Sequence, residues 1–457
     1  ISLVDLVRAT RRLAEEGDRI TQLGICPMSE ELIRAPIELA LEYDFPVLFV
    51  ASRNQVSEDE GGGYVMGFTP QTFVQKILDV EDSIGLNSDS SPDYIRFVGV
   101  DHCGPWYKER EKELGEEEAI ESVKHTLIAC LKAGYSGFHI DCSFKPPLSV
   151  EMNEERMIKL TVDLIKFTER KRIALKNQPV SYEIGTEETA GKSVSVEHFN
   201  SSIKSMLSEI RKRELPEPAF VVGRTGAEIR MLENVGGFDY TATSSLPEVA
   251  RKFHLGFKEH NADYLSNPIL SLHPYCGITA ANVGPSFAAE QTKALLSLAA
   301  MEEKKIGKDS SNLYQVMSEA VLEKALFHKW LRKEDEWTVD ELPAMPAELR
   351  AVTVVCGHYV YYDEKVREAI GKLYSNLKKN ELLENPEAYV TKTVKKAIMR
   401  YVDAFNLRGS ASKIIKPGFG NLPHNRLITL ENSFASKRTL KHWKGKHPPP
   451  MLRKEAL

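Results

Sequence analysis

The amino-acid sequence predicts an α/β protein: a (β/α)8 barrel of the TIM type over residues 1–305, then a helical extension and basic tail over 306–457. Three observations lead there. Apolar runs of about 4–6 residues alternate with helical stretches about eight times in roughly the first 300 residues. Acidic, amide or imidazole side chains follow nearly every run, as they do at the C-terminal ends of barrel strands. Beyond about residue 309 strand signals fade and long, charged, amphipathic helices take over. A doubly wound open sheet would instead gather its polar groups at one switch point.

The elements follow in order. Residues 3–16 carry a helical period through Leu3, Leu6, Val7 and Leu13, and residues 19–26 read as the first strand. Ser29 is the N-cap candidate for a helix over 30–43, which Asp44-Phe-Pro46 breaks before a buried strand at 47–51. The polar loop 52–67, with Asn54, Gln55 and Gly61-Gly-Gly63, reads as a mobile cover over the barrel mouth; it has neither the spacing nor the lysine of a nucleotide fingerprint. Thr69 caps a helix over 70–79. Phe97 to Val100 form a buried strand ending in Asp101 and His102, and Gly104-Pro105 turns the chain away. A helix over 116–133 leads to a strand end at 138–141, and a helix over 153–172 leads to a strand at 180–185. A helix over 196–213 then precedes a strand at 219–223, with Arg224-Thr-Gly226 after it. The run 253–257 precedes His260 and Asp263. Residues 278–284 form the last strand, and Pro285 opens a helix to 303. The extension is read as helices over 314–327, 365–379 and 388–405 that serve oligomer contacts, so a homo-oligomer is expected. Its tail, 437–457, is basic and contains Pro448-Pro-Pro450; it reads as a solvated arm.

Composition excludes several classes. With 60 basic and 65 acidic residues the net charge is −5, which gives no field for nucleic acid or an anionic membrane. No apolar run approaches the roughly 20 residues needed to span a bilayer. The first residues read as an amphipathic helix rather than a secretory signal. The six cysteines are scattered without a Cys-x-x-Cys pair, which suits a reducing cytoplasm better than disulfides or a structural zinc site. A cytoplasmic enzyme acting on a small molecule is the expectation.

The strand ends collect Asp101 and His102, His139 and Asp141, Glu183 and Glu187, His260 and Asp263, and Asn282. Residues i and i+2 on a strand face the same way, so His139 and Asp141 should point together. Imidazoles and carboxylates converging on one mouth suit Zn²⁺, Mn²⁺ or Co²⁺, although no His-Glu-x-x-His signature occurs. Taken singly, His139 and Glu183 are more often hydrogen-bonded structural groups than ligands; the set is what makes an active site. Cys103 and Cys142 read as small semi-buried thiols, and His273-Pro-Tyr275 as a turn.

Gly24-Ile-Cys26, Ala51-Ser-Arg-Asn-Gln-Val56, Gly62-Gly-Tyr64, Gly67-Phe-Thr-Pro70, Asp101-His-Cys-Gly-Pro105, Phe138-His-Ile-Asp-Cys-Ser143, Tyr182-Glu-Ile-Gly-Thr-Glu187, His260-Asn-Ala-Asp-Tyr264 and Asn282-Val-Gly-Pro285 occur in this order over roughly residues 20–300. As a set they resemble the family of tagatose-bisphosphate aldolase non-catalytic subunits and ketose 4-epimerases. That family is related more distantly to the metal-dependent class II fructose-bisphosphate aldolases. The resemblance implies a divalent metal held by His102, Glu183 and His260. It implies Asp101 as catalytic acid/base, with Glu183, Asp141 and Glu187 as the other carboxylates of the reaction. Asn54, Gln55, His139, Asp263, Asn282 and Arg224 are expected around the sugar. The sequence departs from the class II aldolases in having no histidine near Val222-Gly-Arg-Thr-Gly226, and His139 is the candidate for the missing donor.

Such a site suits chemistry beside a ketone, where a divalent cation stabilises an enediolate and a carboxylate takes the C4 hydroxyl proton as C3–C4 breaks. Re-addition of the aldehyde on its other face makes a 4-epimerase; its release makes an aldolase. The expectation is a ketohexose 4-epimerase acting on tagatose and fructose or their phosphorylated or uronate relatives. The alternatives are tagatose-1,6-bisphosphate aldolase itself, or its stabilising subunit with a separate catalytic chain as partner. A bisphosphate needs two anion sites, and Arg53, Arg224 and glycines 223, 226 and 284 supply one at most.

Overall fold

The computed structural model describes residues 1–86, 94–143, 153–185, 195–332 and 334–415; Glu187 and the basic tail lie outside them. Helix α1 (Leu3–Glu15) precedes strand β1 (Gln22–Ile25), α2 (Glu31–Tyr43), β2 (Val47–Ser52), α3 (Pro70–Ser83), β3 (Arg96–Asp101), α4 (Glu116–Ala133), β4 (Gly137–Ile140), α5 (Glu154–Ala174), β5 (Ser181–Gly185), α6 (Val196–Lys212) and β6 (Phe220–Val222). A small hairpin, β7 (Ile229–Arg230) and β8 (Glu233–Asn234), then leads to α7 (Tyr240–Lys252), β9 (Gly256–Glu259), α8 (Asn267–Cys276), β10 (Ala280–Val283) and α9 (Pro285–Ile306). Strands β1–β6, β9 and β10 are all parallel and close on themselves, β10 pairing with β1. This is the eight-stranded parallel barrel the alternation predicts, with the hairpin as an insertion after β6.

The strands are short and buried on both faces, which is why they read as continuous apolar runs. Helix α1 closes the barrel floor. An added side-chain carbon on Gly137 would lie 2.9 Å from Leu3, and one on Gly256 would lie 3.0 Å from Val7 and 2.7 Å from Phe220. Neither position has room for a side chain, and the apolar run 253–257 leads into β9 at Gly256. The His273-Pro-Tyr275 run belongs to α8 and is not a turn. His273 Nε2 lies 2.6 Å from Glu259 and its Nδ1 3.0 Å from the Ile269 carbonyl, so both nitrogens are committed within the wall.

Beyond residue 306 the helices fall into two groups. α10 (Leu313–Lys324), α11 (Pro346–Cys356) and α12 (Glu364–Lys379) build a second apolar core against α9. α13 (Pro386–Ala404) and α14 (Ser410–Ile415) return to the barrel, and Ile398, Tyr401, Phe405 and Ile414 join its own core. The Tyr401 hydroxyl donates to the Ala262 carbonyl at 3.1 Å, just beyond β9. The helix expected over 314–327 stops at Lys324: Ala325 takes a left-handed φ of 50°, and a 3-10 turn (Leu326–Trp330) follows. Among the described residues no helix is long and apolar enough to cross a membrane.

Candidate metal centre at the barrel mouth

Asp101 ends β3, His102 follows it, His139 is the third residue of β4, and His260 follows β9. One candidate ligand atom from each of these four lies within 4.8 Å of the others. Three strands 40 to 160 residues apart in the sequence thus converge at the C-terminal end of the barrel, where barrel enzymes hold their reactive groups.

Each group is oriented by a neighbour. His139 Nδ1 lies 2.9 Å from Asp101 Oδ1 and 3.2 Å from the His102 backbone nitrogen; the tautomer that donates Nδ1–H to the carboxylate is the one that leaves Nε2 with a free lone pair. His139 Nε2 is buried with no partner, and so is His260 Nε2. His102 Nδ1 lies 3.1 Å from Asp141 Oδ2, which also accepts from the Tyr107 hydroxyl at 2.5 Å. The Tyr107 ring stacks on the His102 ring, with centroids 5.1 Å apart. Ser143 donates twice to the other Asp141 oxygen. Asn282 on β10 donates to Asp101 Oδ2 at 2.9 Å, while its own Oδ1 is buried and unpartnered. Gly24, opposite Asn282 in the register, is needed here, since a side-chain carbon would sit 2.1 Å from that oxygen. His102 itself has a left-handed φ of 46°, a backbone conformation that costs free energy for a non-glycine residue and concentrates at functional sites.

The electrostatics agree with a ligand set. Burial drives the His260 imidazolium well below its usual pKa, so this ring is neutral and able to coordinate. Burial alone would raise Asp101, but the surrounding imidazoles outweigh it and hold the carboxyl well below its usual range. Asp141 is likewise held at about 2, burial being overcome by its bond to His102 and by the neighbouring imidazoles and Ser143. Buried imidazole nitrogens with no hydrogen-bond partner are costly unless something else binds them. Three imidazoles with a carboxylate beside them suit a borderline divalent cation, and His102, His139 and His260 fit as its donors.

Other expected residues lie elsewhere. Glu183 points into the barrel but is not part of this group; both its oxygens receive the Lys258 ammonium, at 2.8 and 3.0 Å. The structure thus does not bring Glu183, expected as a metal ligand and reacting carboxylate, into the four-residue group. Lys258, in the middle of β9, is the residue that sequence reasoning missed, and its one visible signal is a charge inside a buried strand. Asp263 accepts from the backbone N–H groups of Gly284 and Ser286 at 3.1 and 2.8 Å. It therefore caps α9 and is not placed to bind a sugar; burial nevertheless raises its carboxyl to about 6. Gln55 accepts from the Ser52 N–H at 2.7 Å, and Asn54 donates to the Tyr107 carbonyl at 2.7 Å, so both brace loops around the mouth. Their loop is pinned: Ser57 and Gly63 N–H both donate to the Phe68 carbonyl, and a side-chain carbon on Gly63 would lie 2.1 Å from the Gln55 carbonyl. The mobile cover expected of 52–67 is thus a packed wall. Arg53 is fully buried and bonded to Glu111, the Gly104 carbonyl, Thr126 and Ser122, so no phosphate reaches it. Arg224 is half-buried with one nitrogen, Nη1, unpartnered. Tyr107, which orients His102, was also absent from the sequence reading; nothing in the sequence marks it beyond its place six residues after Asp101.

A family model described as D-tagatose-1,6-bisphosphate aldolase subunit GatZ/KbaZ-like matches residues 7–403. Among solved structures, a probable tagatose 6 phosphate kinase from Sinorhizobium meliloti is similar at 20% identity and a TM-score of 0.68, over 84% of this chain and all of the other. A fructose-bisphosphate aldolase from Campylobacter jejuni is similar at 11% identity and 0.53, over 90% of this chain and 96% of that one. A glycerol complex of the fructuronate-tagaturonate epimerase from Cohnella laeviribosi is similar at 12% and 0.51, over 85% and 82%. At these identities the likeness is one of fold.

Proposed function

The chain belongs to the GatZ/KbaZ-like family of D-tagatose-1,6-bisphosphate aldolase subunits, and from this premise we propose that it is itself a metal-dependent enzyme that inverts C4 of a ketose by breaking and remaking the C3–C4 bond. One observation carries the reading: the partnerless Nε2 atoms of His139 and His260 beside Asp101 and His102. A stabilising subunit does not need buried imidazoles without partners, whereas a metal centre does. His102, His139 and His260 would hold the cation, and Zn²⁺, Mn²⁺ or Co²⁺ suits them. Such an ion acts as a Lewis acid on a ketone oxygen.

The rest is work for the chain's own residues. Asp141 and Tyr107 hold the His102 ring so that Nε2 faces the centre. Asp101, ionised throughout the working range, takes the proton from the C4 hydroxyl. The C3–C4 electron pair stays on C3, and C4 departs as an aldehyde. If the aldehyde turns before re-adding, Asp101 returns the proton to an inverted C4 hydroxyl. Asn282 fixes Asp101 Oδ2 and offers its free Oδ1 to a substrate hydroxyl. The fructose-bisphosphate aldolase and the fructuronate-tagaturonate epimerase, built on the same barrel, are named for the two outcomes of this chemistry.

A second reading, that the chain stabilises a separate aldolase subunit, is favoured by the family description and by the lack of a histidine in Val222–Gly226. Incubating the purified chain alone with Mn²⁺ or Zn²⁺ and fructose, fructose 6-phosphate or tagatose 1,6-bisphosphate separates the readings. EDTA-sensitive formation of the 4-epimer supports the proposal. Triose phosphates make it an aldolase, and no product with no retained metal leaves the accessory role.

A further inference from the structure

His102 and Tyr107 reach the metal centre on the connection from β3 to α4. Two non-glycine residues of that short stretch hold left-handed backbone, His102 at a φ of 46° and Trp106 at 64°. Such a stretch costs free energy and keeps its form only where its surroundings over-determine it. The surroundings that do so come from one place, the loop after β2.

Arg53 Nη1 donates to the Gly104 carbonyl at 2.7 Å, and Asn54 Nδ2 donates to the Tyr107 carbonyl at 2.7 Å. Glu58 and Asp59 receive the Lys108 ammonium at 2.7 and 3.1 Å. Trp106, fully buried, closes the turn by donating its Nε1–H to the Leu114 carbonyl at 3.0 Å. Arg53 is fixed in its turn. Its guanidinium also donates to both Glu111 oxygens, at 2.6 and 2.8 Å, and to Ser122 and Thr126, each at 3.0 Å. Neither side chain of the Arg53–Glu111 pair is exposed at all.

Both grips end on the groups that orient His102. Tyr107 stacks on the His102 ring and donates to Asp141. Gly104 is pressed against the Asp141 backbone, where a side-chain carbon would lie 1.4 Å from the carbonyl oxygen. Stability alone does not account for the arrangement, because a fully buried ion pair is often no better for stability than apolar residues of similar volume. What a guanidinium adds is direction: a rigid fork of donors accepts only one placement of its partners.

We propose that Arg53 and Asn54 are positioning residues for the metal centre: they set where Gly104 and Tyr107 lie, and thereby the angle at which the His102 ring meets His139 and His260. The proposal rests on the metal reading for what the ring is positioned to hold, but not for the positioning itself.

The test takes two readings on the full chain, in the natural sequence, in Asn54→Ala, in Tyr107→Ala, in those two combined, and in Arg53→Met joined with Glu111→Leu, which removes both buried charges together. The first needs no metal. It is the His102 Cε1–H resonance of histidine-labelled chain, assigned by its loss in His102→Ala, which carries the ring-current shift of the stacked Tyr107 ring. The shift should vanish in Tyr107→Ala and shrink in Asn54→Ala and in the Arg53/Glu111 double variant. The second is Zn²⁺ affinity by equilibrium dialysis. Asn54→Ala should weaken it about tenfold, Tyr107→Ala by at least as much, and the combination no more than Tyr107→Ala alone, since the two act through one group. A merely structural role would lower the urea midpoint while leaving the His102 resonance of the folded chain in place. An unmoved resonance in Asn54→Ala, or losses of affinity that add, would overturn the proposal. A resonance that moves in Asn54→Ala but not in the Arg53/Glu111 double variant would remove Arg53 from it. If the double variant does not fold, Asn54→Ala, which leaves the ion pair intact, still decides. A natural chain that binds no Zn²⁺ while the resonance moves as expected would uphold the positioning and count against the proposed function alone.

Discussion

Two sets of buried charged groups share the interior of this barrel, and they differ in one respect. Glu183 on β5 and Lys258 on β9 meet across the strands, and the ammonium is matched by both carboxylate oxygens. His139 stands beside Glu183 in the register, yet its Nε2, like that of His260, ends on nothing. A satisfied ion pair is complete without a ligand. An orphaned imidazole in a buried cluster is not, and that difference separates scaffold from site within one layer of one barrel.

The comparison breaks if the two sets respond alike to substitution. Glu183→Gln leaves the Lys258 charge buried and poorly matched, so stability should fall by about 3–5 kcal/mol, read from the urea midpoint, while metal content per folded chain stays unchanged. His260→Ala should do the reverse, lowering metal affinity by at least about 100-fold with little loss of stability; equilibrium dialysis checks it. Asp101→Asn should keep the metal and lower turnover by roughly 10²-fold, and unchanged turnover would move the base elsewhere.

A pH series sharpens the contrast. The Asp141 carboxyl is held at about 2 in the fold against an ordinary 3.8. A depressed acid contributes stability that is present above the unfolded value and is lost as pH falls through the folded one. The contribution is about 2 kcal/mol above pH ~4, declining between pH ~4 and ~2, and Asp141→Asn should flatten that limb of the stability curve. The smallest effect expected is that of Tyr107→Phe, which keeps the ring on His102 and loses the bond to Asp141. Metal affinity should drop about tenfold, and an unchanged affinity would mean that stacking alone orients His102.

The barrel was legible because parallel strands buried on both faces leave an unmistakable alternation of apolar runs and amphipathic helices. The candidate metal centre was legible where its residues sit next to strand ends: Asp101-His102, His139 with Asp141 two residues on, and His260 could be read from position alone, and the structure brings them together. What stayed hidden depends on partners across the barrel. Glu183 looks like a ligand until Lys258, 75 residues away, is seen opposite it. Asp263 looks like a substrate residue until α9 presents its first N–H groups. Tyr107 was invisible because its place beside His102 and Asp141 comes from contacts between loops, which no local period records.

The measurement that bears most directly on the account is X-ray absorption at the zinc edge of the Zn²⁺-loaded chain, in the natural sequence and in His139→Ala. The account predicts one zinc per chain with imidazole nitrogens at about 2.0–2.1 Å, one fewer in the variant, and no change in Glu183→Gln. A zinc without imidazole scattering, or one whose shell changes with Glu183 and not with His139, would contradict it.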